Sequence, residues 1–205
     1  MGTLDTPQLI AIAAALGWAS GLRLYAVLFL VGLAGFMGWV DLPSGLQLLQ
    51  HPLMLAASGF MLCVEFFADK IPGVDTLWDM LHTLVRIPAG AALAAAVFGT
   101  DQTTAATVAA LLGGTLAATS HFAKATTRAA VNTSPEPFSN IGLSLLGDAT
   151  VPFALWLAFA HPWVFFPLLA LALAGMAALL WWLGRFLLQL VRRWTGRSPG
   201  VLGTI

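Results

Sequence analysis

What most constrains this chain is a succession of long apolar runs, residues 7–39, 52–69, 75–99, 103–131, 139–160 and 162–191, parted by short polar or Pro/Gly breaks. A helix of about 20 such residues matches the roughly 30 Å hydrocarbon core of a bilayer. The runs therefore predict an all-α fold: a polytopic transmembrane helical bundle of about six spans, with the lipid bilayer as its first partner. Charge is correspondingly scarce, with Lys+Arg 9 and Asp+Glu 9 making up 9% of 205 residues, where a soluble domain carries about 25%. With 59% of residues in the AVILMFWYC set and a mean hydropathy of +0.88, an ordinary soluble domain and a disordered chain are both excluded. The formal net charge is zero, so no basic field exists to gather nucleic acid. The single cysteine, Cys63, can form no internal disulfide.

The breaks carry their own chemistry. His51-Pro52 and His161-Pro162 put proline in a first helical turn, where its missing N–H does no harm. The segments around Asp41, Lys70-Ile-Pro-Gly73, Gly99-Thr-Asp101 and Ser134-Pro-Glu-Pro137 read as loops. The first run, at 33 residues, exceeds one straight crossing. A break is expected within Gly17-Trp-Ala-Ser-Gly21, leaving 22–39 as the span proper. No Lys or Arg precedes that run, so a cleaved signal peptide is not expected. Arg185, Arg192, Arg193 and Arg197 crowd the C-terminal segment and predict that it is cytoplasmic in a plasma (inner) membrane protein. Six crossings place the N-terminus there too, and the three loops thereby assigned outside contain no Lys or Arg.

Most charges fall inside the runs, and their spacing gives their helical phase. Asp75, Asp79, His82 and Arg86 are spaced 4, 3 and 4, one stripe on one helix. His121, Lys124 and Arg128 form a second stripe, and Glu65 and Asp69 share a face with Ser58. Asp148 precedes Pro152, Arg23 stands alone near the start of the first span, Lys70 lies in a cytoplasmic loop, and Glu136 lies in the Ser134 loop. In the predicted topology all of these fall in the cytoplasmic half of the membrane. Charges at such depth face a bundle interior, a partner or a water-filled cavity, so they predict a polar vestibule open to the cytoplasm. Arg86 and Asp148, each placed before a proline, are candidates to pair with each other or to form two sides of one site.

Two plainer readings stand beside this one. Residues 75–87 could lie as an amphipathic helix in the headgroup layer, stripe to water. The charges could also serve only to hold helices together, or reach the interface by snorkelling. A continuous third helix kinked at Pro88 is preferred, because residues 88–99 alone are too short to cross. The chain reads as a single domain, 1–205, with a faint internal echo. It runs either between the second-to-third and fourth-to-fifth runs or between halves 1–100 and 101–205, which would be an inverted repeat.

The strings Gly21-Leu-Arg-Leu-Tyr25, Val64-Glu-Phe-Phe-Ala-Asp-Lys-Ile-Pro-Gly-Val-Asp-Thr-Leu-Trp-Asp79, His82-Thr-Leu-Val-Arg-Ile-Pro-Ala-Gly90 and Lys124-Ala-Thr-Thr-Arg-Ala-Ala-Val-Asn-Thr-Ser-Pro-Glu-Pro-Phe-Ser-Asn140 resemble the bacterial membrane family called domain of unknown function 4126. The resemblance covers most of the chain and implies a small polytopic membrane protein without assigning an activity. Ile71-Pro-Gly-Val74 is also similar to the re-entrant loop of DedA-type lipid carriers, although Asp75 stands where such loops often continue with Arg.

Three functions fit. The first is a transporter- or channel-like carrier of a small polar solute or ion. The second is an intramembrane enzyme or carrier acting on a phosphate-bearing lipid, with Asp75 and Asp79 as weak Mg²⁺ candidates and Arg86, Lys124 and Arg128 as anion clamps. The third is a structural membrane protein. No cofactor is implied, no Ser-His-Asp arrangement is readable, and the histidines are too dispersed for zinc.

Overall fold

A computed structural model of the chain describes residues 4–132 and 138–194, with side chains as far as Arg185. All regular structure among the described residues is helical: α1 (Thr6–Phe36), a 3-10 helix (Ser44–Gln50), α2 (Pro52–Ala68), α3 (Val74–Ala96), α4 (Thr103–Val131), α5 (Phe138–Ala160) and α6 (Pro162–Trp194). The helix starts follow local chemistry. Asp5 and Gln8 close a reciprocal capping box at α1. Pro52 and Pro162 open α2 and α6 as their positions predict, and the His51 Nδ1 accepts from the Leu53 N–H at 3.2 Å. Gly73, with φ 88°, makes the turn into α3 in a region that side chains avoid.

Each of the six apolar runs becomes one α-helix. By length and apolar content α1, α4, α5 and α6 (through Arg185) could each cross a membrane, and the 3-10 helix with α2, bent by 70°, could make a fifth. The polar stripe of α3 lowers its hydropathy and keeps it out of that set, although it runs unbroken through Pro88. Its stripe is not turned to water: Asp75, Asp79, His82 and Arg86 are all buried, while Leu77, Leu81 and Leu84 on other faces are exposed. The surface-helix alternative for residues 75–87 is thereby removed.

Helices α3 and α4 are antiparallel, from Asn132 bonded to Asp75 at one end to Gly113 against Ala94 near the other. Small residues let α1 join them. A Cβ on Gly17 would lie 2.6 Å from the Gly113 Cα, and one on Gly90 would lie 2.6 Å from the Ala117 Cβ. This close approach of backbones is how helices associate where lipid supplies no hydrophobic drive. The core follows α1: Ile12, Leu16, Leu24, Val27 and Val31 are almost completely buried, with Val151 and Ala158 of α5 against the same cluster.

The break in α1 comes at Arg23 (φ −148°, ψ 82°), two residues beyond the glycine segment expected to supply it. It also turns the chain. Before it, Gly17 lies against Gly113, and Gly21 against Ala117 and Ser120, so this arm runs alongside α4 in the same direction. After it, Gly32 lies against Leu49 and Leu55, and Gly35 against Leu42 and Gln50. These neighbours belong to the opposite end of the bundle, because Gly45, in the same 3-10 helix as Leu49, lies against the Ala96 carbonyl. A straight helix would carry Gly32 about 22 Å past Gly17, level with the start of α3 and about 30 Å from Ala96. Four residues of 3-10 helix, at about 2 Å each, cannot span that gap. The length that would let α1 cross is instead folded into two arms, with Arg23 at the tip and both ends directed to where α3 finishes and α4 begins.

Candidate functional site

Around the tip of α1 the structure assembles a buried layer of charge. The Arg23 guanidinium lies 2.5 Å from an Asp69 oxygen and 2.8 Å from Asp148, and donates to the Ser144 hydroxyl at 2.9 Å and carbonyl at 3.0 Å. Asp69, at the C-terminal cap of α2, also holds Arg128 at 2.6 Å and Lys124 at 3.0 Å. Arg86 reaches Glu65 and Asp79, both at 2.6 Å. Lys124 bridges to Asp79 at 3.2 Å and donates to the Leu22 carbonyl at 3.0 Å, beside the break in α1. Lys70 closes the layer on Asp148 at 3.0 Å. Arg23, Glu65, Asp69 and Arg86 are no more than 1% exposed, and Asp148 is 22% exposed.

Five cations thus face four carboxylates in this set of ion pairs, leaving one positive charge in excess. In a medium of low dielectric constant such groups persist only when paired and hydrogen-bonded, and the helix spacings supply this. Glu65 and Asp69 are one turn apart on α2, Asp79 and Arg86 two turns apart on α3, and Lys124 and Arg128 one turn apart on α4. The satisfaction is incomplete: among the described residues Glu65 Oε2, Arg86 Nε, Arg23 Nε and Trp18 Nε1 are buried without a hydrogen-bond partner.

The structure therefore brings together Arg23, Glu65, Asp69, Lys70, Asp79, Arg86, Lys124, Arg128 and Asp148 from five helices and one loop. His121 joins at the edge, with Nδ1 3.3 Å from Arg86 and Nε2 2.8 Å from the Thr83 hydroxyl. Two sequence candidates stand apart. Asp75 accepts from the Gly73 and Thr76 N–H groups at 2.8 and 2.6 Å and from Asn132 at 3.0 Å, tying the α2–α3 loop to the end of α4. Among the described residues it shares no partner with Asp79, so the two do not converge there as a cation site. His82 turns to α1, 3.2 Å from the Tyr25 hydroxyl, and stacks on Trp78 at 4.0 Å instead of facing the α4 stripe. Glu136 lies outside the described residues. The expected pairing of Arg86 with Asp148 is not made, since each has nearer partners on other helices.

Beside the layer lies a cleft of about 200 Å³ between α1, α4, α5 and α6. Arg23, Lys124 and Arg128 form its charged side, while Leu22, Leu143, Leu146, Met176 and Leu179 make its walls apolar. Sequence reasoning missed this cleft with its Trp18 and Gly147, and missed Ser144, whose hydroxyl accepts from Arg23 and Lys70 in the layer. Ser144 had a signal, since it sits one turn before Asp148, whereas Gly147 gains meaning only from the space it leaves beside Arg23.

No curated relative and no solved structure matches the chain. A family model does, over residues 10–183, which takes in the α1 hairpin, every charge of the layer and the cleft. The chain belongs to the family described as domain of unknown function (DUF4126).

Proposed function

We propose that the protein is a multi-pass carrier of the plasma (inner) membrane whose ligand site is the buried charge layer, held near the cytoplasmic face. One observation carries the reading: nine paired charges converge on the tip of a broken, returning helix. Broken helices that set charge at membrane depth are how carriers hold a polar substrate, and charges placed there at such expense mark ligand or ion pathways. The positive excess favours an anion over a cation. The faint echo between the α2–α3 and α4–α5 hairpins fits, since each presents a carboxylate to Arg23, Asp69 from one and Asp148 from the other.

The path of α1 supports five crossings, α2 through α6, where the apolar runs alone suggest six. The N-terminus is then external and the C-terminal segment cytoplasmic. Charge agrees: no Lys or Arg precedes Arg23, and none occurs between Arg23 and Lys70 or between Arg86 and Lys124, whereas Arg185, Arg192, Arg193 and Arg197 follow the last helix or end it.

Purified protein titrated with phosphate, sulfate, chloride and Mg²⁺ while its unfolding midpoint is followed provides the test. A ligand at about 100 times its Kd stabilises by about 2.7 kcal/mol. The expected result is stabilisation by an oxyanion in the wild type and none in Arg128→Gln. Stabilisation by Mg²⁺ alone, or an unchanged response in Arg128→Gln, overturns the reading, and no response to any of them leaves the ion pairs a purely structural device.

A further inference from the structure

We infer that the cleft between α1, α4, α5 and α6 binds a membrane-soluble amphiphile with a phosphate monoester head, the head against Arg23, Lys124 and Arg128 and the chain along Leu146, Met176 and Leu179. The inference rests on the charge layer being the ligand site and names the class of ligand. A site for a free ion or small polar solute would be polar on every side. This one is charged on one side only: three cations on the side towards α1 and α4, and elsewhere apolar side chains with two threonines, Thr127 and Thr150, whose hydroxyls are spent on their own helices, on the Ala123 and Leu146 carbonyls at 2.7 Å. Leu146, which lines it, is 63% exposed, so the cleft reaches the face that a helical membrane protein turns to acyl chains.

Two further features point to an anionic head. Trp18 and Arg23, both lining the cleft and no more than 5% exposed, each carry a buried N–H with no hydrogen-bond partner among the described residues. A buried donor left unmade costs the full desolvation of the group, so such donors mark an absent acceptor. The glycine at 147 keeps the approach open: a Cβ there would meet only Arg23 Nε, at 3.7 Å. The three cations already share Asp69, and the surplus positive charge suits one more oxyanion, which Arg can hold by parallel N–H donors.

The experiment follows the unfolding midpoint in neutral maltoside micelles during titration with dodecyl phosphate, inorganic phosphate or dodecyltrimethylammonium. Dodecyl phosphate is expected to stabilise the wild type at concentrations at least 100-fold below inorganic phosphate, and dodecyltrimethylammonium is expected not to stabilise it. Gly147→Leu fills the cleft while improving helix propensity, so the variant is expected to fold and to bind dodecyl phosphate at least 10-fold more weakly. Thr150→Leu, one turn along the same wall, serves if Gly147→Leu does not fold. Equal potency of inorganic and dodecyl phosphate, or an undiminished response in the filled variants, overturns the cleft while leaving an anion site in the charge layer. Stabilisation by the cationic amphiphile overturns the phosphate head, and silence of both phosphates overturns both readings.

Discussion

Asp69 is the residue on which the layer turns, because Arg23 from α1 and Lys124 and Arg128 from α4 all reach its two oxygens. Asp69→Asn leaves these cations facing one another in a buried space, and removing one member of a buried ionic set typically costs about 3 to 5 kcal/mol. Thermal or denaturant unfolding of the purified variant is expected to register that loss. Asp148→Asn is expected to register clearly less, since Asp148 is 22% exposed and holds two cations. Equal losses would show that the hub lies elsewhere. At this scale much was legible: stripes spaced by three and four residues announced which side chains would be buried together, and among the described residues all of the sequence candidates but Asp75 and His82 stand in the layer or at its edge. Partner identity was not legible. Arg86 takes Glu65 and Asp79 instead of Asp148 because pairing depends on how helices rotate and cross, which the phase along a single helix does not contain.

Among the elements, the contact of α1, α3 and α4 depends on absent side chains. Gly113 and Gly114 are neighbours in one helix and gain equally in helix propensity from alanine, by about 1 kcal/mol. Their surroundings differ: a Cβ on Gly113 would sit 2.4 Å from the Ala94 Cβ, and one on Gly114 would sit 3.3 Å from the Ala91 Cβ. Gly113→Ala is therefore expected to destabilise, overpacking of this kind costing about 1 to 3 kcal/mol, while Gly114→Ala is neutral or mildly stabilising. Matching unfolding midpoints for the two variants would contradict the close crossing. Helix starts at Pro52 and Pro162 were readable because proline restricts its own backbone. The site of the break in α1 was readable to within two residues, but its sense was not. Both arms are uniformly apolar, and hydropathy measures depth without direction.

For the whole molecule, the hairpin makes a topological statement that labelling from one side of the membrane can check. In a chain whose Cys63 is replaced by serine, cysteines at Thr6 and Trp39 are expected to react with a membrane-impermeant maleimide from one side, and a cysteine at Ile71 from the other. A crossing α1 would put Thr6 and Trp39 on opposite sides. The hairpin also sets an order of birth. Arg23 emerges 121 residues before Ser144, one of its final hydrogen-bond partners, and at about 5 to 20 residues per second that interval is on the order of ten seconds. An arginine at the centre of a membrane helix costs about 2.5 to 3.5 kcal/mol on insertion scales, so the nascent first arm has no settled place in lipid until α2, α4 and α5 arrive. The tip must wait at the insertion machinery or at the membrane surface, and α1, though made first, is among the last elements to take its seat.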